Sequence, residues 1–528
     1  MRIALMFLLL LTCEERVDSA FDLIIRGGDL IDGTGAPRRR ADVGIRGDTI
    51  VKIGDLASAD ATTILDAKDR VVAPGFIDLL GNSQAAVLLD PRLEGKIRQG
   101  VTTEVTGEGH SPGPQNEVML AEMERTKPTG WPKVTWTTLG GFMSEVEKKG
   151  TAVNFVFYVG AANSREMVLG HANRAPTREE LRRMEAITRQ AMDEGAVGLS
   201  SALIYPPGRF ATTDELIALA RVGGSYWTHL RNESGNIDVA IDEAIRIGRE
   251  ADVPVNIFHL KVGGAANWGR MPAIVKKIEA ARKSGVDVAA NIYPFTASST
   301  DLTSIVPAWA LEGGYPAFLA RLKDPAHRKR IVSELRASPA IVIRGNPSRK
   351  LDDIAKEMNV DRAEAAVRLF EQSPRKSPLA VFFSFSEEDM KTALVQPWVA
   401  FGSDSGAVVE AMKEDGGHPR AYATFSRVLA KYVREEKLLT LEEAVRKMTS
   451  LAASRAKLTD RGVLREGMKA DVIVFDPRHV QDRSTYEDPH HFSEGFAHVI
   501  VNGQLVLRDA KMTGELPGRV LRRATTPE

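Results

Sequence analysis

Tyr226-Trp227-Thr228-His229-Leu230-Arg231-Asn232-Glu233 opens the stretch that decides the fold, and Asn256-Ile257-Phe258-His259-Leu260-Lys261 closes it. Between them, Ile237 to Ile247 places apolar residues at 237, 240, 241, 244 and 245, the spacing of an amphipathic helix. On either side, Gly223–Leu230 and Val253–Leu260 are short apolar runs bounded by Gly, Asn, Asp and Pro, each with a histidine near its C-terminal end. The pattern predicts a strand–helix–strand unit that presents two histidines on one rim of a parallel sheet. In a parallel α/β barrel that rim carries the chemistry. A lone histidine in such a place is ordinarily a satisfied core or loop residue. Two at equivalent strand ends, in a chain with ten histidines, point instead to a metal site.

Working outward, 528 residues suffice for a large barrel and a smaller domain. Hydrophobic residues make up 43% and charged ones 27%, ordinary for a globular protein. The formal net charge is zero, so the sequence offers no electrostatic footprint for nucleic acid or an anionic membrane. Met1-Arg2 and the apolar run Ala4–Leu11 are too short to span a bilayer and fit a secretory leader over 1–20, so an exported, periplasmic or extracellular protein is expected. Lipid anchoring through Cys13, the only cysteine, is left open. With no other thiol, the folded part has no internal disulfide and binds metal without thiolate.

Residues 21–73 alternate as short strands, at 21–25, 41–45, 49–53 and 63–66, and the far end repeats the character at 470–475, 498–502 and 504–507. Two β-rich ends around an α/β middle predict one small β-sandwich domain, 21–73 plus 456–528, around a barrel from 74 to 455. An insert is expected within about 301–384, with Leu311–Pro316 as a loop signal.

Several motifs then carry a resemblance. Asp22–Gly35, Val72-Ala-Pro-Gly-Phe-Ile-Asp78 and Gly467–Asp476 resemble the framing segments of the amidohydrolase superfamily. Thr228–Glu233, Phe258–Lys261, Gly198–Gly208, Asn291–Thr300, Gly402-Ser-Asp404, His418-Pro-Arg420 and Pro517–Arg522 are similar to the N-acyl-D-amino-acid deacylases (D-aminoacylases). The resemblance implies a distorted TIM-type (β/α)8 barrel and a zinc-dependent hydrolase of small N-acyl-D-amino acids. Other amides, imides or D-dipeptides, or ligand binding without catalysis, are the alternatives.

Hydrolysing an amide at neutral pH needs an activated water, a polarised carbonyl and a proton for the departing amine. His229 and His259 are the expected metal ligands. Asp404, after the apolar run Val399–Ser403, is implied as the residue that takes a proton from water and passes it to the amine. Two departures from the family follow. Its usual His-x-His after Gly-Phe-Ile-Asp is replaced by Leu80 and Asn82, so one zinc rather than two is expected. Its cysteine-bearing turn is replaced by Gly107-Glu108-Gly109-His110, which makes Glu108 the expected third ligand and His110 the poorer alternative. The resemblance also implies that Lys261, Tyr293 and Ser299 hold the substrate carboxylate, with Tyr205 beside the acyl or side-chain pocket. Arg231 and Arg420 are alternative anion binders, and His418 is a loop residue that could touch substrate. His490 and His491 are adjacent in a polar stretch, and with His171, His327, His479 and His498 they are given no metal role.

Overall fold

The computed structural model describes residues 20–523, except 128–130, 132, 339 and 346. The leader expected over 1–20, with Cys13, therefore lies outside the described residues apart from Ala20.

The deciding stretch folds as its periodicity predicts. Strands Tyr226–His229 and Val255–Ile257 pair in parallel, with the helix Ile237–Ala251 between them. The first run is shorter than expected because Gly223 ends the preceding helix Thr213–Gly223, and Gly224 closes that helix in the left-handed region. Neighbouring strands continue the ladder. Leu199–Ala202, Tyr226–His229, Val255–Ile257, Val288–Ile292 and Val399–Phe401 pair in parallel, while Phe76–Gly81, Val101–Thr106 and Asn154–Phe157 form a second parallel segment. Val159–Gly160 continues from Phe157 into the first ladder, and a parallel bridge between Gly81 and Ser405 closes the ring. The result is a distorted eight-stranded barrel.

Its interior obeys the period of two. Trp227 and Phe258 point inward to a core with Ile77, Leu79 and Tyr158, whereas Tyr226, Val255 and Ile257 face the surrounding helices. Trp227 lies 4.8 Å from Tyr158 and 5.7 Å from Phe258, ring centre to ring centre, and these aromatics plug the barrel below the rim.

Strands from both chain ends share one nine-stranded sheet. Val472–Phe475 pairs antiparallel with Val71–Pro74, which runs parallel to the end of Phe21–Leu30. Leu23, Ile25, Val43 and Ile45 from the first half pack with Val472, Val474 and Ile500 from the second, so this smaller β domain has its own core.

Between Ala297–Asp301 and Leu379–Phe383 the chain leaves the barrel and builds a small α/β unit around Phe318, Ile331 and Phe370. Here the expected loop at Leu311–Pro316 is corrected. The helix Gly314–Leu322 begins inside it, because Pro316 in a first turn has no intrahelical partner to lose. Among the described residues no helix is long and apolar enough to cross a membrane.

Candidate active site

Both histidines stand on the rim, one by regular strand geometry and the other by departing from it. His229 ends its strand facing inward, two residues after the inward Trp227. His259 follows the inward Phe258, so strict alternation would turn it out of the barrel. Instead it adopts a left-handed backbone (φ 35°), with its N–H donated to Asn291 Oδ1 at 2.7 Å. Asp404 is left-handed too (φ 50°), its N–H donated to the Leu80 carbonyl at 2.7 Å. Such conformations cost free energy in non-glycine residues and persist only where the surroundings enforce them, most often at functional sites.

Glu108 joins the two rings. Its Oε1 lies 3.0 Å from His229 Nδ1 and 3.0 Å from His259 Nε2. The potential ligand atoms of Glu108, His229 and His259 all fall within 4.8 Å of one another, and no other such cluster of His, Cys, Asp or Glu occurs among the described residues. Two imidazole nitrogens and one carboxylate are the donor set of catalytic zinc, which keeps a further position open. The buried Nε2 of His229 makes no hydrogen bond, and Glu108 meets the ring through its other nitrogen. The residues present therefore fit a metal.

Charge is concentrated here. Burial works to raise the Glu108 pKa, but the two imidazoles outweigh it and hold the carboxyl well below its usual range. Burial and Lys261 work to lower the His259 pKa, and the facing carboxylates of Glu233 and Asp404 carry it up to about 9. Burial pushes Asp404 upward against the pull of Arg420, whose Nη1 donates to Asp404 Oδ2 at 2.6 Å.

Glu233 was quoted in the sequence without a role, and the structure supplies one. Its Oε1 lies 3.0 Å from His259 Nδ1 and accepts from Lys261 Nζ at 2.9 Å, and its Oε2 lies 3.5 Å from His229 Nε2. One carboxylate thus braces the far sides of both rings and fixes the Lys261 ammonium. Outer carboxylates of this kind orient metal-binding histidines. The signal was its position four residues after His229, in the loop that leaves the same rim.

Lys261, Ser299, Tyr205 and Arg420 line one cavity of about 750 Å³ with Glu108, His229, His259 and Asp404. Ser299 Oγ accepts from Arg344 at 3.3 Å, and its carbonyl accepts from Arg420 at 3.0 Å. The Tyr205 hydroxyl shares a 2.6 Å hydrogen bond with Thr300, and its ring sits edge-on to His229. Tyr293 lies behind this wall, with the Arg420 guanidinium 4.8 Å over its ring and its buried hydroxyl unpaired.

Other candidates are placed elsewhere. The Arg231 guanidinium is clamped by Glu243 at 2.9 Å, so its charge is already matched. His418 is buried against the Ala297 carbonyl at 3.1 Å and does not line the cavity. His110 is exposed, 3.5 Å from Glu166, and stands outside the converging trio. His490 meets Tyr422, and His491 meets Asp488.

Where the family's His-x-His would stand, the residues do not fit a second ion. Leu80 is fully buried among apolar side chains, and only Asn82 reaches the cavity. The charge beside them is Lys96, which is fully buried. Its Nζ donates to Asp78 Oδ2 at 2.7 Å, to Ser403 Oγ at 2.9 Å and to the Ser405 carbonyl at 2.7 Å, with Glu104 Oε2 at 3.3 Å. Burial works against this ammonium, but Asp78 and Glu104 outweigh it and raise its pKa. Glu104 in turn accepts from the N–H and hydroxyl of Ser83, both at 2.7 Å. Position 81 has to be glycine, since a Cβ there would come within 2.0 Å of Glu104 Cγ. Lys96 thus grips the residues on both sides of Asp404. Lys96→Met leaves two buried carboxylates facing each other, so denaturant unfolding should show a loss of about 3–5 kcal/mol. A loss below about 1 kcal/mol would mean that Lys96 matters little to this corner.

The comparisons agree with this geometry. The amidohydrolase family profile matches residues 63–507. An N-acyl-D-glutamate deacylase of Alcaligenes xylosoxydans xylosoxydans is 36% identical, over 95% of this chain and 96% of its own length. A D-aminoacylase of the same organism is 37% identical, over 95% and 98%. Among solved structures, the N-acyl-D-glutamate deacylase of Bordetella bronchiseptica, complexed with zinc and a phosphonate inhibitor, superposes with a TM-score of 0.81 at 34% identity, covering 95% of this chain and all of that one. With barrel, rim and family profile in agreement over most of its length, the chain belongs to the amidohydrolase superfamily and, within it, to the N-acyl-D-amino-acid deacylase (D-aminoacylase) family.

Proposed function

We propose that this protein hydrolyses the amide bond of N-acyl-D-amino acids, releasing a carboxylate and a D-amino acid, with one zinc ion held by Glu108, His229 and His259. The observation that carries the reading is the convergence of those three donors on the rim, in the cavity that Asp404 also lines. Zinc held by these three residues would supply Lewis acidity for the amide carbonyl and lower the pKa of a water. Asp404 lines the same cavity, where its carboxylate would take the proton of the attacking water and deliver it to the amide nitrogen as the C–N bond breaks, so that the amine leaves neutral. Arg420 holds the Asp404 carboxylate in one orientation throughout.

The α-carboxylate of the substrate is held by Lys261, with the hydroxyl of Ser299 beside it, while Tyr205 flanks the group next to His229; Tyr293, behind the wall, steadies this side through the Arg420 guanidinium over its ring. A fixed ammonium with hydroxyl donors suits a carboxylate. Lys96 supports the one-ion reading, because a side-chain cation already stands in the corner where a second metal would need ligands. Export is proposed on the leader-like start alone, and the N-terminal residue of protein recovered from the cell envelope would check it.

The test is elemental analysis of purified protein, together with turnover of matched N-acetyl-D- and N-acetyl-L-amino acids. Zinc near one equivalent and hydrolysis of the D-series are expected. Zinc-loaded protein that binds an N-acetyl-D-amino acid without cleaving it would leave a binding protein, and two tightly held equivalents would overturn the single-ion site.

A further inference from the structure

The cavity has two ends, and only one is used by the chemistry above. At the inner end every cation has an acidic partner: Lys261 has Glu233, Arg420 has Asp404, and Arg231 beside them has Glu243. The outer end lies between the turn after Leu199–Ala202 and the insert, and there the balance differs. Arg209 sits in the short 3-10 turn Gly208–Phe210, and its Nη1 reaches the Val306 carbonyl at 3.3 Å. Arg336 follows the insert helix Pro325–Glu334 and donates its backbone N–H to the adjacent Ile305 carbonyl at 3.2 Å. Consecutive carbonyls of one segment thus seat both arginines on the same wall, and Ser304 and Ser338 line the same cavity.

Neither guanidinium has a carboxylate in salt-bridge reach among the described residues. The acid of the insert wall, Asp301, is influenced by Lys376 and Arg344 instead. Burial and then the charges of Arg336 and Arg231 press the Arg209 pKa down, with no anion opposing them. Arg209 is half-buried and Arg336 exposed on this wall, and the repulsion that Arg209 feels is relieved when a ligand brings the missing negative charge. Planar guanidinium groups favour carboxylate or phosphate as that charge.

We infer that Arg209 and Arg336 form a second anion subsite at the outer end of the cavity, and that the preferred substrates carry a second negative group in addition to the α-carboxylate. The inference rests on the N-acyl-D-amino acid reading and names the substrate class within it. The second anion reaches the subsite from the amino-acid side chain or from the far end of the acyl group, and the chemistry that recognises it is the same.

Three substrates separate the sources: N-acetyl-D-leucine as the neutral reference, N-acetyl-D-glutamate with the anion on the side chain, and N-succinyl-D-leucine with it on the acyl group. In the zinc-loaded parent, one of the two dianionic substrates should exceed the reference in kcat/KM by at least about tenfold. Arg209→Met should cut that ratio by about 10- to 100-fold, and Arg336→Met should cut it in the same direction. A parent that prefers the neutral substrate over both, or variants that leave the ratio unchanged, overturns the subsite. Thermal shift with the same three compounds keeps the question separate from catalysis. If nothing is turned over, the deacylase reading fails, yet a dianionic ligand that raises the melting temperature of the parent and not of Arg209→Met still supports the subsite. Equal shifts in both proteins reject it.

Discussion

Replacing Glu108 by alanine should strip the protein of its metal and lower kcat/KM by roughly a thousandfold or more, since Lewis-acid stabilisation is worth several kcal/mol. The carboxylate is the single group that touches both rim imidazoles, each at 3.0 Å. Without it His229 and His259 remain as two neutral donors, one short of the three that hold catalytic zinc. The far sides of both rings stay braced by Glu233, so the loss falls on affinity rather than on the placement of the histidines. His110→Ala is the informative partner variant, because its ring meets Glu166 outside the trio. Dialysed protein measured for zinc should show near-complete loss in Glu108→Ala and retention in His110→Ala. The reverse result would put the third ligand on the other flank of the turn. Zinc retained in both would place the metal elsewhere.

How far the sequence leads depends on whether a residue's role is local or tertiary. His229 and His259 were legible because apolar runs, a helical period and histidines at equivalent ends are all local signals. The interleaved β-rich ends were legible for the same reason, with strands at Phe21–Leu30, Arg39–Arg46, Thr49–Gly54 and Ala61–Asp66 close to where alternation puts them. Lys96 was not. In Glu94-Gly-Lys-Ile-Arg98 it looks like any solvated lysine of a short helix, and only folding brings it to Asp78, Glu104 and Ser403. The partner of Arg231 was hidden for a related reason. Its partner Glu243 is on the next helix, and nothing in Thr228–Glu233 reveals that the charge is already matched. His418 looked available in Gly-His-Pro-Arg, yet packing turns it to a backbone carbonyl. Arg209 and Arg336 are brought to one wall by an insert fold whose strand pairing the sequence did not show.

Asp404→Asn should retain zinc and substrate affinity while losing about 10²- to 10⁴-fold in kcat, the range that positioned general acid–base groups supply. Asparagine suits the test for three reasons. It tolerates the left-handed backbone at this position, where φ is 50°. Its amide oxygen can still accept from Arg420, whose second guanidinium nitrogen remains on the Ser299 carbonyl. It cannot take a proton from water at neutral pH. Alanine would remove the partner of a buried arginine as well, and breaking such a pair costs about 3–5 kcal/mol, so a poorly folded Asp404→Ala would say little about proton transfer. The metal is spared because Asp404 lies outside the converging trio of Glu108, His229 and His259. An unchanged KM with kcat reduced a hundredfold or more would separate proton transfer from binding. If Asp404→Asn keeps more than about a tenth of the parent kcat, the proton passes through another group, and Glu233, which contacts both histidines across the rim, becomes the carboxylate to replace next.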